Sequence, residues 1–218
     1  MASSELGTPS MGKPAQARTR LARAAVIDAA RTLFVERGYV ATTVEAISSY
    51  SGVPAATVYR LFTSKRGILK QLLDTSIAGD DEQVSLPERS QVRAVFADPD
   101  PRRQLAGLVA IASDVNSRAT EIYSVLVGAA SADADAAALL EELKHQRREG
   151  QGRIARSLAR AGALRAGLRE RDAADMVYTL LSPEVYRLLV LDRRWPPKRY
   201  ERWLTQTLAE CLLPPDPR

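Results

Sequence analysis

The chain has 218 residues, 45% apolar and 26% charged, the proportions of an ordinary globular protein, which exclude a disordered chain or a membrane span. Its one cysteine, Cys211, excludes an internal disulfide or a thiolate metal site. The net charge of +5 is unevenly divided: residues 1–70 hold ten Lys/Arg against four Asp/Glu, a balance of +6, and residues 71–218 carry 21 against 22. All the excess positive charge sits in the first third, as a meeting with a polyanion requires. A basic surface with no partner would look the same in charge alone. With neither a signal-like leader nor a run of about 18 apolar residues, a cytoplasmic protein without a membrane contact is expected.

Residues 1–17 are rich in Ser, Gly and Pro and read as a disordered tail. A helix is predicted from Thr19, with Val26, Ile27, Ala30, Leu33 and Phe34 on one face, and Gly38 suits its left-handed C-cap. Thr42 with Glu45 makes a capping-box pattern for a short second helix whose apolar face is Val44, Ile47 and Tyr50. Gly52 permits a tight turn, Val53 plugs it, and Pro54 suits a first helical position. The third helix has Val58, Leu61 and Phe62 inward, leaving Ala55, Ala56, Thr57, Tyr59 and Arg60 toward solvent. Thr63 or Ser64 caps a fourth helix whose buried side is Ile68, Leu69, Leu72, Leu73 and Ile77.

Two short helices around a glycine turn, braced by longer ones, make a helix-turn-helix. Its second helix must offer small residues at its N-terminus so that the backbone can approach base edges in the major groove. Ala55, Ala56 and Thr57 satisfy that requirement. Tyr59, Arg60 and Lys65 supply a phenol, a guanidinium and an ammonium for phosphates, and the helix N-termini near Thr43 and Ser64 direct partial positive charge outward. Lys65 at a helix start opposes the dipole, which favours an external anion over a structural role. Thr42 reads as a cap, Arg66 and Lys70 as solvated, and Arg60 stays open between a surface residue and a DNA contact.

The run of Val26, Ile27, Ala29, Ala30, Leu33, Phe34, Arg37, Gly38 and Tyr39, continued by Thr42, Thr43, Val44 and Ile47, by Ser51, Gly52 and Val53, and by Thr57, Val58, Tyr59, Phe62, Ser64, Lys65 and Leu69, resembles the DNA-binding domain of the tetracycline-repressor (TetR) family. The resemblance covers about a quarter of the chain. It implies an all-α homodimer: a three-helix DNA-binding domain, a fourth connecting helix, and a helical C-terminal domain that binds a small effector. It also places Thr43, Ala55, Ala56, Thr57, Tyr59 and Lys65 at DNA-contact positions. Pro54 departs from a frequent serine and loses a hydroxyl, whereas Arg60 stands where an aromatic residue is frequent. The expected domains are 18–64 for DNA and 65–218 for effector and dimer.

Beyond a polar stretch at 79–90, helices are predicted over 100–117, 119–130, 134–161, 171–191 and 198–212, with a kink or restart at Ser182 and Pro183. The last carries an unbroken apolar stripe that includes Trp203, Leu204, Leu208 and Cys211. Such helices close a monomer core or form a dimer face. The family resemblance favours the dimer, with Leu180, Leu181, Leu188, Trp203, Leu204 and Leu208 at its interface. An effector pocket is expected between the preceding helices, with Ser113, Asn116, Tyr123 and Tyr178 as polar candidates and a hydrophobic or amphipathic ligand. His145 lies on a charged face without a second ligand, and no phosphate loop, nucleophile elbow or metal cluster is present. No cofactor, metal or catalytic residue is therefore expected. The leading reading is a repressor released from a palindromic operator by an effector that holds the recognition helices too far apart for successive major grooves. An activator or a ligand-independent DNA binder shares every N-terminal feature, and an all-α enzyme ranks far behind.

Overall fold

The computed structural model describes residues 13–79 and 88–215, with side chains from Gln16 onward, and shows helices and no strand among them. The polar stretch at 80–87 and the tail at 1–12 lie outside the described residues. The chain divides between Leu69 and Lys70 into two units.

In the first unit α1 spans Lys13–Arg37, so it begins before Thr19. Its first turns are dominated by Ala, Gln and Arg, good helix formers, and Pro14 falls in the opening turn, where its missing N–H costs nothing. The helix ends at Gly38, whose φ of 79° is in the left-handed region and whose N–H donates to the Phe34 carbonyl at 3.0 Å. Helices α2 (Val44–Ser51) and α3 (Ala55–Phe62) both pack against α1 and against each other. The core is the predicted one: Val26, Ala30, Leu33, Phe34, Val44, Ile47, Val58, Leu61 and Phe62 are all buried. Tyr50 is the exception. It is 59% exposed, because α2 stops after two turns and its last turn overhangs the core.

Helix α4 (Lys65–Ala78) carries the chain from the first unit into the second. Its expected apolar face is buried at Ile68, Leu69, Leu72 and Leu73 and half-buried at Ile77. The second unit then comprises α5 (Ser90–Ala97), α6 (Pro101–Ala129), α7 (Ala134–Arg160), α8 (Glu170–Leu180), α9 (Pro183–Tyr186), a π-helical turn at Arg187–Asp192, and α10 (Pro197–Leu212). Helix α6 is one rod where two helices were predicted. No Gly or Pro interrupts 111–127, and Arg118, the point of the expected break, instead donates to the Ser76 and Ile77 carbonyls at 3.0 and 3.2 Å. A cation on the last carbonyls of α4 is a favourable C-terminal cap. The short α5 was not anticipated. The restart at Ser182 occurs as expected: its hydroxyl accepts from Val185 N–H, and Pro183 opens α9. Around Leu105, Val109, Ile154, Leu158, Val177, Leu204 and Leu208, helices α6, α7, α8 and α10 close one hydrophobic core.

Candidate nucleic-acid interface

The corner between α2 and α3 is held by hydrogen bonds that leave the α3 face to solvent. Thr43, not Thr42, caps α2: its hydroxyl accepts from Ala46 N–H at 3.1 Å. Thr42 is buried, with Oγ1 3.2 Å from the Leu33 carbonyl and 2.8 Å from that of Gly38, so it ties the loop to the end of α1. The two threonines are adjacent, and the capping-box spacing from Glu45 selected the wrong one. Gly52 takes φ 69°, and Ser48 donates to the Val53 carbonyl at 2.7 Å across the turn. Pro54 is the residue before α3 rather than its first helical residue, and its carbonyl accepts from Thr57 and Val58.

On α3, Val58, Leu61 and Phe62 are buried, Ala55 and Thr57 are half-buried, and Ala56, Tyr59 and Arg60 are exposed. Sequence reasoning gave Glu45 a capping-box role and missed its contact with α3: the Tyr59 hydroxyl donates to its Oε1 at 3.2 Å, bridging α3 to α2. Partial desolvation, then the Glu45 charge and their hydrogen bond, raises the Tyr59 pKa. The hydroxyl is thus a donor throughout the neutral range. Lys65 is half-buried, and its Nζ donates to the Tyr39 carbonyl at 3.0 Å and lies 4.2 Å from the centroid of the Tyr39 ring. A structural role for Lys65 is therefore real, contrary to the dipole argument; two backbone oxygens at 3.0 and 3.5 Å receive the ammonium. Lys70, read as solvated, pairs with Glu142 at 2.7 Å.

The junction into α4 is equally tight. Thr63 takes φ 66°, rare for a β-branched residue, and Ser64 accepts from Gly67 N–H at 3.1 Å. A Cβ on Gly67 would lie 2.0 Å from the Phe62 carbonyl oxygen, so only glycine fits there. The corner is rigid because small or capping residues hold it at Thr42, Thr43, Gly52, Ser64 and Gly67.

Residues 26–72, which contain this whole assembly, match the family model of bacterial regulatory proteins of the tetR family. This stretch is a DNA-binding domain of the tetR family type. The uncharacterized HTH-type transcriptional regulator YvkB of Bacillus subtilis is 42% identical over 48 residues, 22% of this chain and 25% of that protein, so the match spans about a quarter of the relative's length. Among solved structures, NalD, the secondary repressor of the MexAB-OprM multidrug efflux pump in Pseudomonas aeruginosa, shares the fold with a TM-score of 0.72 at 19% identity, over 90% of this chain and 97% of NalD. A SmeT–triclosan complex is similar at a TM-score of 0.67 and 16% identity, over 90% of this chain and 98% of SmeT. The matched family is one of bacterial regulatory proteins.

The second unit, Lys70–Arg218, places the remaining candidates as follows. Ser113, Asn116 and Tyr123 are buried on α6, and Tyr178 is half-buried on α8. Asn116 donates to the Leu181 carbonyl at 3.2 Å, which ties α6 to the break before α9. Tyr123 donates to Glu184 at 3.1 Å, and Tyr178 lies under the Arg147 guanidinium at 4.0 Å. Tyr123 and Tyr178 thus meet one charged pair, while Asn116 acts on backbone. Of the candidate interface residues, Leu181, Leu204 and Leu208 are at most 1% exposed within the single chain. They belong to the subunit's own core and have no surface to offer a second copy. Leu188, 51% exposed, and the half-buried Leu180 and Trp203 do have one, joined by Leu191 at 49%. Cys211 is half-buried against the same core. Among the described residues there is no His/Cys/Asp/Glu group able to hold a metal and no helix long and apolar enough to cross a membrane.

Proposed function

We propose that this chain is a cytoplasmic DNA-binding repressor that grips a two-fold operator as a homodimer and leaves it when a small-molecule effector binds its C-terminal unit. The observation that carries the reading is the α3 face. Its small residues Ala55, Ala56 and Thr57 open the helix above a rigid corner, with Tyr59 and Arg60 exposed beside them. That is the form needed to enter a major groove with a phenol and a guanidinium beside the flanking phosphates. Thr43 caps α2 and Lys65 reaches the loop just before it, and the basic balance of residues 1–70 suits a polyanion. One eight-residue helix reads few bases, so a two-fold pair is required for specificity. Leu188 and Leu191 supply an exposed apolar surface for that pairing. The repressor role follows NalD, and the effector role follows the binding of triclosan by SmeT.

Fluorescence anisotropy with duplex DNA from upstream of the chain's own gene, and with a random-sequence pool, tests the reading. Saturable binding that falls steeply with salt and is lost in Tyr59→Ala/Lys65→Ala is expected. Failure of every duplex to bind in preference to random sequence would remove the reading.

A further inference from the structure

The second unit buries a guanidinium and leaves it underfilled. Arg147 of α7 has a side chain only 17% exposed, and its Nε and Nη1 are buried without a hydrogen-bond partner. The nearest recorded carboxylate, Glu184 in the first turn of α9, lies 3.7 Å from Nη1, beyond hydrogen-bond range. Its other oxygen is taken by the Tyr123 hydroxyl of α6 at 3.1 Å. The Tyr178 ring of α8 lies 4.0 Å from the guanidinium carbon. Two further orphans share these helix faces. Thr120, one turn before Tyr123, is 2% exposed with Oγ1 unpartnered, and Gln151, one turn after Arg147, has a buried unpartnered Oε1.

A buried charge with empty donors is costly, and unsatisfied buried groups in a folded protein call for a missing partner. The chemistry of that partner follows from the donor. A guanidinium presents a planar fork that a carboxylate fills with two parallel hydrogen bonds. Glu184 approaches without completing that geometry, and at 51% exposure it can turn to water readily.

We propose that Arg147, flanked by Tyr123 and Tyr178, recognises the carboxylate of an amphipathic effector, which displaces Glu184; this rests on the effector reading above. The exchange has a mechanical consequence. Glu184 links α9 to α6 through Tyr123 and to α7 through Arg147, and α9 runs directly into the π-helical turn that exposes Leu188 and Leu191. An anion on Arg147 therefore unties the segment that leads to the proposed pairing surface.

The test needs no DNA, so its failure is separable from failure of the operator reading. Thermal shift and calorimetry on the full chain compare octanoate and phenylacetate with their primary amides, octanamide and phenylacetamide. At least one acid is expected to bind while its amide does not. Arg147→Gln should weaken that acid at least about thirtyfold. Glu184→Gln, which removes the competing charge, should tighten it. If Arg147→Gln does not fold, Arg147→Lys, which keeps the charge and loses the fork, replaces it and should also weaken the acid. Binding of neither acid, equal binding of acid and amide, or undiminished binding by the Arg147 variant would overturn the proposal. A neutral molecule that binds independently of Arg147 would overturn the anionic class while leaving the effector reading intact.

Discussion

On the proposed reading, Tyr59 and Glu45 show how a side chain that would meet DNA is held in the free protein. The phenol is 47% exposed, yet its hydroxyl is engaged by a carboxylate that would lie close to the phosphates in a complex. Glu45 thus orients the phenol and, on the proposed reading, would also repel the polyanion. Tyr59→Phe is expected to weaken operator binding by about tenfold, roughly 1.4 kcal/mol, with little change in stability. Glu45→Gln, which keeps an acceptor and removes the charge, should tighten it. Anisotropy titrations of the two variants check both signs, and a loss of affinity in Glu45→Gln would mean that positioning outweighs repulsion. Tyr59 was legible in the sequence because residue type and spacing single it out. Its partner was not, since Glu45 lies fourteen positions away and meets it only through the α2–α3 packing. The structural role of Lys65 was not legible: dipole reasoning sees the helix start, not the Tyr39 carbonyl that folding brings to it.

At the scale of elements, local rules worked where the helix itself sets the answer. The periodic apolar positions of α1 and α3 are the buried ones, and Gly52 sits in the left-handed turn that glycine makes easy. They failed where a neighbour decides. Thr42 and Thr43 have the same side chain, and only the Leu33 and Gly38 carbonyls distinguish a tether from a cap. A predicted break at residue 118 vanished into continuous α6 because no residue there obliges one, and α5 was too short to declare itself. Gly67 carries a sharper expectation. Its Cα passes so close to the Phe62 carbonyl that Gly67→Ala must push α3 and α4 apart, despite alanine's better helix propensity. The variant should lose about 1–3 kcal/mol in urea unfolding. A gain in stability, as propensity alone would give, would contradict this packing.

For the whole molecule, exposure divides the leucines that the expected dimer interface had grouped together. Leu204 is fully buried in the subunit core, whereas Leu188 is half exposed. Leu204→Asp should therefore unfold the second unit, since it buries an unpaired charge. Leu188→Asp should leave the helical circular dichroism intact and shift sedimentation toward the monomer, with weaker operator binding as the result. Unchanged sedimentation of Leu188→Asp would place the pairing surface elsewhere. The charge division was legible from composition because it needs no geometry, and the core of α6, α7, α8 and α10 was legible only as a set of faces. The solitary thiol at Cys211 has a practical bearing on the proposed mechanism. Once it is replaced by serine, a cysteine introduced at Arg60 on the open side of α3 gives one spin label per polypeptide. Any dipolar separation then comes from two different chains, which makes the protein its own ruler for the gap between recognition helices, with and without effector.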